Sequence, residues 1–277
     1  MKFGLDVPTT GDYGNAQVLA QLAVDAENTG WDGFFIWDVL PDNNNAVDPW
    51  IALTAIALQT SHIKIGVLAT PLARHRPYLI AQRLANLDQL SQGRVICTVG
   101  LGYSEGAFAA FNEERNSAVR AKRLDEGLAI LDGLWTKDTF SYAGEYHTLD
   151  KVSLLSKPVQ TPRIPLWIAG GWPKHAPLRR AAKWDGIALK SINVEKQKWL
   201  TLDDFRTSVA YIQEQRTLDM PFDIVMSGET PNDRQQGIDM VRPFQDAGAT
   251  WWVEEGLGWE LVEFRERIRS GPPNERI

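Results

Sequence analysis

The sequence predicts a (β/α)8 barrel, the TIM-barrel architecture, and three observations carry that prediction. Eight short apolar runs recur along the 277 residues, segments of helical period separate them, and most connections are short. The runs are 2–7, 33–37, 64–69, 94–99, 165–169, 186–190, 222–226 and 251–254. Each is apolar on both faces, as parallel strands sheathed by helices must be. The same alternation also admits an open, doubly wound sheet, and the count of eight favours closure.

The helical segments follow in order, each with a physical cause at its ends. The first, 15–29, sets Val18, Leu19, Leu22, Ala23 and Ala26 on one face, with Asn15 as N-cap and Gly30 as the stop. Asp48 caps the second, with Pro49 at its first position. The third follows Pro77 and buries Leu84, Leu87 and Leu90 before Gly93. The segment 117–135 carries Leu124, Leu128, Leu131 and Leu134, and 201–216 opens on a Thr201/Asp204 capping box. Thr230-Pro231 is expected to open the seventh helix. The last, 259–269, turns Leu261, Phe264 and Ile268 inward.

One connection breaks the pattern. Between the fourth and fifth strands lies an insertion, at about 136–163, in which 139–148 alternates around Gly144 like a hairpin. Such an insertion either covers an active site or caps the barrel edge. The whole chain, 1–277, reads as one domain with this insertion.

Composition narrows the partners. A net charge of -6 and a pI of about 5.3 leave no basic surface for nucleic acid or an anionic membrane. The single cysteine, Cys97, sits in an apolar run, which excludes an internal disulfide and predicts a buried core thiol in a reducing, cytoplasmic setting. No stretch approaches the roughly 20 apolar residues of a membrane span, and the first residues lack a leader's apolar run.

In this fold catalytic groups follow the strands, so candidates are read from position: Asp6, Asp38, Thr70, residues 100–105, residues 170–172, Lys190, Glu229 and Glu254. Ala169-Gly170-Gly171-Trp172-Pro173 reads as the turn into a short helix, where paired glycines let backbone N–H groups approach a phosphate. A tight turn alone would also use them. Gly100-Leu101-Gly102-Tyr103-Ser104-Glu105 would admit a flat ring or phosphate, with Glu105 orienting a polar edge. It lacks the spacing of a dinucleotide fingerprint. The four histidines are scattered, so no metal site is expected, and neither a nucleophile elbow nor a Walker loop is present. A cofactor is then expected to carry the hard chemistry. Most of the eleven tryptophans read as packing residues, while Trp37 and Trp172 fall at strand mouths where they could wall a planar ring.

Several segments, in this order and spacing, resemble the bacterial luciferase-like oxidoreductase family: Gly33-Phe34-Phe35-Ile36-Trp37-Asp38, Asp48-Pro49-Trp50, Lys64-Ile65-Gly66-Val67-Leu68-Ala69-Thr70-Pro71, Arg74-His75-Arg76-Pro77, the run 87–94 and Pro165-Leu166-Trp167-Ile168-Ala169-Gly170-Gly171. The likeness extends over nearly the whole chain. It implies a (β/α)8 barrel, often homodimeric, that binds FMN or coenzyme F-420 (8-hydroxy-5-deazaflavin) at the strand C-termini. By position, Val67 and Leu68 would flank a bend beneath the ring, often a non-prolyl cis peptide, and Thr70 would meet the ring edge. Gly100, Leu101, Gly102 and Glu105 would lie along ring and side chain. Ala169, Gly170, Gly171 and Trp172 would take the phosphate, with Arg179 and Arg180 as possible supports or as solvated helix arginines. Many members carry a His directly after the acidic residue ending the second strand, whereas here Asp38 is followed by Val39. Asp38 and Glu105 are the substitutes at hand for proton transfer.

Three functions follow. The first is hydride or oxygen chemistry on a small organic substrate through a reduced flavin or deazaflavin. The second is a lyase or isomerase using Lys190 as Schiff base, which needs a lowered lysine pKa, or Glu229 as base. The third is a flavin-binding protein without turnover.

Overall fold

The computed structural model describes residues 1–40, 45–102, 105–191 and 199–274, of which 105–107 and 191 by backbone only. Eight parallel strands close into a barrel: β1 (Lys2–Val7), β2 (Gly33–Ile36), β3 (Lys64–Pro71), β4 (Val95–Gly100), β7 (Leu166–Trp172), β8 (Gly186–Ser191), β9 (Asp223–Gly228) and β10 (Trp251–Glu255). Strands β5 (Phe140–Ala143) and β6 (Thr148–Val152) form a separate antiparallel hairpin. The barrel order is β1-β10-β9-β8-β7-β4-β3-β2, so the first and last strands pair and no open edge is left. The predicted closure is therefore found, and the open-sheet alternative is excluded.

The helices are α1 (Ala16–Asn28), α2 (Pro49–Gln59), α3 (Pro77–Leu90), α4 (Glu105–Ala110), α5 (Ser117–Thr136), α6 (His175–Ala181), α7 (Leu202–Gln215), α8 (Arg234–Asp246) and α9 (Leu261–Arg269). Asn15 Oδ1 accepts from the Gln17 N–H at 2.8 Å, Asp48 Oδ1 from Trp50 at 2.9 Å, and Thr201 Oγ1 from Asp204 at 3.1 Å. These are the caps the sequence predicts. The seventh helix is the exception. Asp233, not Thr230, caps α8, because the Thr230 N–H and hydroxyl are both committed to the Glu254 carboxylate.

Side chains alternate between two apolar layers. Phe35, Leu68, Ile96, Trp167, Ala188, Val225, Trp251 and Val253 fill the barrel interior, where Trp167 and Trp251 meet edge to face at 5.5 Å and Phe35 packs on both. A larger layer joins strands to helices and includes Val67, Cys97 and Trp252. Burial pushes the Cys97 thiol up to about 12, as expected of an inert core residue.

Carboxylates tie the connections down. Glu27 accepts from the N–H groups of Ser61, His62 and Ile63 ahead of β3. Asp88 accepts from Val159 and Gln160 in the return to β7. Glu126, midway along α5, accepts from Glu145, Tyr146 and His147 at 2.7, 3.1 and 2.9 Å. The hairpin is thus moored by its tip along α5, where Tyr146 also stacks under Arg123. These contacts hold the hairpin on α5.

Candidate active site

Because all eight strands are parallel, their C-terminal ends share one rim. Counting outward by two from the interior layer places Asp6, Trp37, Thr98, Gly100, Ala169, Gly171, Lys190, Ser227 and Glu255 at the barrel mouth. Glu254, expected there from sequence, has the opposite parity. It faces the helices, where Thr230, Trp252 and Arg267 surround its carboxylate. Its neighbour Glu255 is the mouth residue, recoverable from the alternation Trp251, Val253, Glu255.

Asp6, Lys190 and Glu255 form one cluster. Lys190 Nζ donates to Asp6 Oδ2 at 3.0 Å and to Glu255 Oε1 at 3.2 Å, and Asp6 and Glu255 are register partners on β1 and β10. Burial pushes the Asp6 carboxyl up to about 7; Lys190 opposes the rise and Glu255 adds to it. Burial alone would lower the Lys190 ammonium, but the two carboxylates outweigh it and its pKa is raised. A lysine held protonated is a poor Schiff-base nucleophile, which weighs against Lys190 as the group of a lyase. Glu229 lies half-buried just past β9.

Next to this cluster the mouth is paved with small residues. A Cβ on Gly100 would stand 3.1 Å from the Ala169 Cβ and 3.8 Å from the Ala69 Cβ. The register of β3 against β4 slips between Val67 and Thr70, and the Leu68–Ala69 peptide is cis. The bend therefore comes one residue later than the Val67–Leu68 position implied by resemblance. Leu68 faces the barrel interior and Val67 the helices, so only the former presents its side chain to the site. Thr70 is buried in the extension of β3. At the same strand ends Asp6 Oδ1, Thr98 Oγ1 and Ser227 Oγ are buried with no hydrogen-bond partner among the described residues.

The glycine pair sits differently from expectation. Gly170 and Gly171 continue β7, in register with Leu189 and Lys190, rather than forming a turn. A Cβ on Gly170 would come 2.8 Å from the Pro177 Cβ, so this glycine lets α6 pack closely. Trp172 is half-buried and tilts on His175, which stacks on Tyr211 at 4.5 Å. Arg179 donates to the Tyr211 hydroxyl and Arg180 to Asp125, so both guanidiniums have protein partners. After β4, Leu101 is half-buried. Gly102 has φ +82°, and a Cβ there would meet Phe108 at 2.6 Å. Of Glu105 only the backbone is described. Its expected contact, like Tyr103 and Ser104, lies outside the described residues.

One pair was not foreseen. Asp38, just beyond β2, meets His75, just beyond the 3-10 turn Leu72–Arg74 that follows β3, with Oδ2 and Nε2 3.0 Å apart. Adjacent parallel strands β2 and β3 bring the two loops together. The sequence signal was the His in Arg74-His75-Arg76-Pro77, legible only once the strand order is known. Among the described residues no group of His, Cys, Asp or Glu is arranged to hold a metal, and no helix is long and apolar enough to cross a membrane.

Comparison with known proteins adds an independent line. A family model described as "Luciferase-like monooxygenase" matches residues 1–234. The F420-dependent glucose-6-phosphate dehydrogenase of Amycolatopsis mediterranei (strain U-32) is 34% identical over 161 residues, covering 56% of this chain and 48% of that protein. The FMNH(2)-dependent dimethylsulfone monooxygenase of Pseudomonas fluorescens (strain Pf0-1) is 31% identical over 157 residues, covering 56% and 42%. The chain thus matches somewhat less than half the length of these curated relatives. Among solved structures, monooxygenase RslO1 from Streptomyces bottropensis superimposes with a TM-score of 0.78 at 20% identity, covering 97% of both chains. An F420-dependent secondary alcohol dehydrogenase bound to an F420–acetone adduct gives 0.75 at 19%, covering 97% of this chain and 98% of that one. At such identities these structures establish the shared fold.

Proposed function

The chain belongs to the luciferase-like monooxygenase family, and on that premise we propose that it is an oxidoreductase acting on a small organic substrate through a reduced flavin or deazaflavin, FMN or coenzyme F-420, seated at the barrel mouth. The observation that carries this reading is the floor of Ala69, Gly100 and Ala169, paved with small residues, beside Asp6 Oδ1, Thr98 Oγ1 and Ser227 Oγ, which have no partner among the described residues. A planar ring with polar edges fits such a surface. When bound, that ring supplies a hydride or, as reduced FMN, the electrons that activate oxygen.

The chain's own residues supply position and protons. Leu68 and Thr70 border the floor, Val67 contributes backbone, and Gly100, Leu101 and Gly102 run along the ring. Ala169, Gly170, Gly171 and Trp172 follow β7 towards the phosphate. His75 is the acid–base group: in the tautomer whose Nε2–H donates to Asp38, Nδ1 is the ring atom that takes or returns a proton. Asp38 thereby acts through His75 rather than alone. This dyad weighs against a flavin binder without turnover.

The reading extends to a homodimer and a cytoplasmic setting. Ile51 and Leu58 on α2 are 63% and 67% exposed, and Leu79 on the adjoining α3 is exposed as well. A partner helix face would cover them. The buried free thiol of Cys97 is in keeping with a reducing compartment.

Titration of the purified protein with FMN and, separately, with coenzyme F-420 tests the function, read by fluorescence and by thermal stability, which a bound ligand raises. Saturable binding of one cofactor fixes the reaction class. Binding of neither overturns the proposal.

A further inference from the structure

Lys190 lies near the end of β8, yet its ammonium is held by groups on β1 and β10. In the barrel order β1-β10-β9-β8 those strands are three and two places away, so the side chain crosses the end of β9 and brings Nζ into the mouth. There the lysine side chain is 41% exposed, against 0% and 7% for Asp6 and Glu255. An ammonium carries three N–H donors and no acceptor. Asp6 Oδ2 takes one at 3.0 Å and Glu255 Oε1 another at 3.2 Å, and among the described residues none takes the third.

The charge around Nζ decides what that third donor can take. Strands β10, β1 and β2 are consecutive in the barrel, so their ends and the loops that follow form one sector of the rim. Residues 5–15, 36–40, 45–48 and 254–260 of this sector contain seven acidic residues and no lysine, arginine or histidine. A carboxylate or phosphate approaching Nζ would meet Asp6 and Glu255 on the same atom, with no second cation in the sector to offset the repulsion. A carbonyl or hydroxyl oxygen accepts from the same N–H without that penalty. The sector also offers apolar surface: Val39 and Leu257 are 37% and 50% exposed on the loops after β2 and β10, and Trp37 is half-buried.

We propose that Lys190 is a substrate-binding residue whose third N–H takes an uncharged oxygen, carbonyl or hydroxyl, of a molecule whose remaining body is apolar and lies against Trp37, Val39 and Leu257. Asp6 and Glu255 position the ammonium and turn carboxylates and phosphates away. This substrate class rests on the proposed function, which places the reaction at the same mouth.

Hexanamide and hexanoate, alike in length and shape and different in charge, are the probes, titrated calorimetrically into the full chain with and without FMN or coenzyme F-420. Hexanamide should bind to saturation, about tenfold more tightly than hexanoate. Lys190→Met should weaken hexanamide about tenfold. Glu255→Gln, which leaves Lys190 paired with Asp6, should raise the affinity for hexanoate and narrow or reverse the preference, a gain that a merely structural lysine would not show. This second variant carries the test if circular dichroism shows Lys190→Met to be unfolded. No saturable binding of hexanamide, equal affinities for the two probes, or a preference unmoved by Glu255→Gln overturns the assignment. Cofactor binding without hexanamide binding would sink the role of Lys190 and leave the functional reading standing. Preferential hexanamide binding by a chain that takes up neither cofactor would do the reverse.

Discussion

His75 Nε2 and Asp38 Oδ2 stand 3.0 Å apart although 37 residues separate them in sequence. Each lies just past a strand end, on neighbouring strands, so the fold alone makes the contact. A carboxylate behind an imidazole fixes its tautomer and its orientation. His75→Gln should lower kcat by about 10²- to 10⁴-fold with cofactor affinity kept within about twofold. Asp38→Asn should cost less. Unchanged turnover in the His75 variant would remove it from the chemistry.

The Asp6 carboxyl, raised from 3.8 to about 7 mainly by burial, makes stability depend on pH. An acid with a raised folded pKa holds its proton more tightly when folded. Its contribution is therefore present below about pH 4 and is lost as pH rises towards 7. Urea denaturation of wild type and Asp6→Asn across that window should show wild type losing ground to the variant as pH rises. A constant difference between them would show that Asp6 stays ionised.

Gly100→Val places a branched side chain on the floor formed with Ala69 and Ala169. The barrel should still fold, as judged by circular dichroism, while affinity for the flavin or deazaflavin falls at least tenfold. Retained affinity would move the ring elsewhere.

Glu126→Ala removes the acceptor for three backbone N–H groups of the hairpin tip. A loss of about 1–3 kcal/mol is expected, because those groups lie at the surface and water takes over part of the bonding. Hydrogen exchange should localise the loss of protection to 140–152 and leave the mouth unaffected. Protection lost throughout the barrel would instead make the hairpin part of the cooperative core.

Leu58→Glu puts a charge on the exposed apolar face of α2. If that face is the dimer contact, light scattering on a size-exclusion column should report a dimer for wild type and a monomer for the variant. A wild-type monomer would dispose of the contact.

The barrel was legible in the sequence because each strand is a short apolar run and most helices carry their own caps; Asn15, Asp48 and Thr201 sit where local chemistry alone puts them. What was missed depends on register and on pairing across the chain. Glu255 replaced Glu254 at the mouth by strand parity. Gly170 and Gly171 proved to be strand because β8 extends alongside them. Thr230 was taken out of its expected capping role by Glu254, a partner 24 residues away. His75 required knowledge that β2 and β3 are neighbours. Local propensity speaks to none of these.

The pairing of β1 with β10 sets an order of events during synthesis. Asp6 is synthesised long before its neighbour Glu255, which arrives only when the eighth barrel strand has been made. Until then β1 and β9 each present a bare row of amides and carbonyls, the kind of edge on which other chains can grow. From the synthesis of β1 to that of β10 the nascent barrel consequently carries a sticky seam and an unfinished mouth, and a single late closure abolishes the one and completes the other.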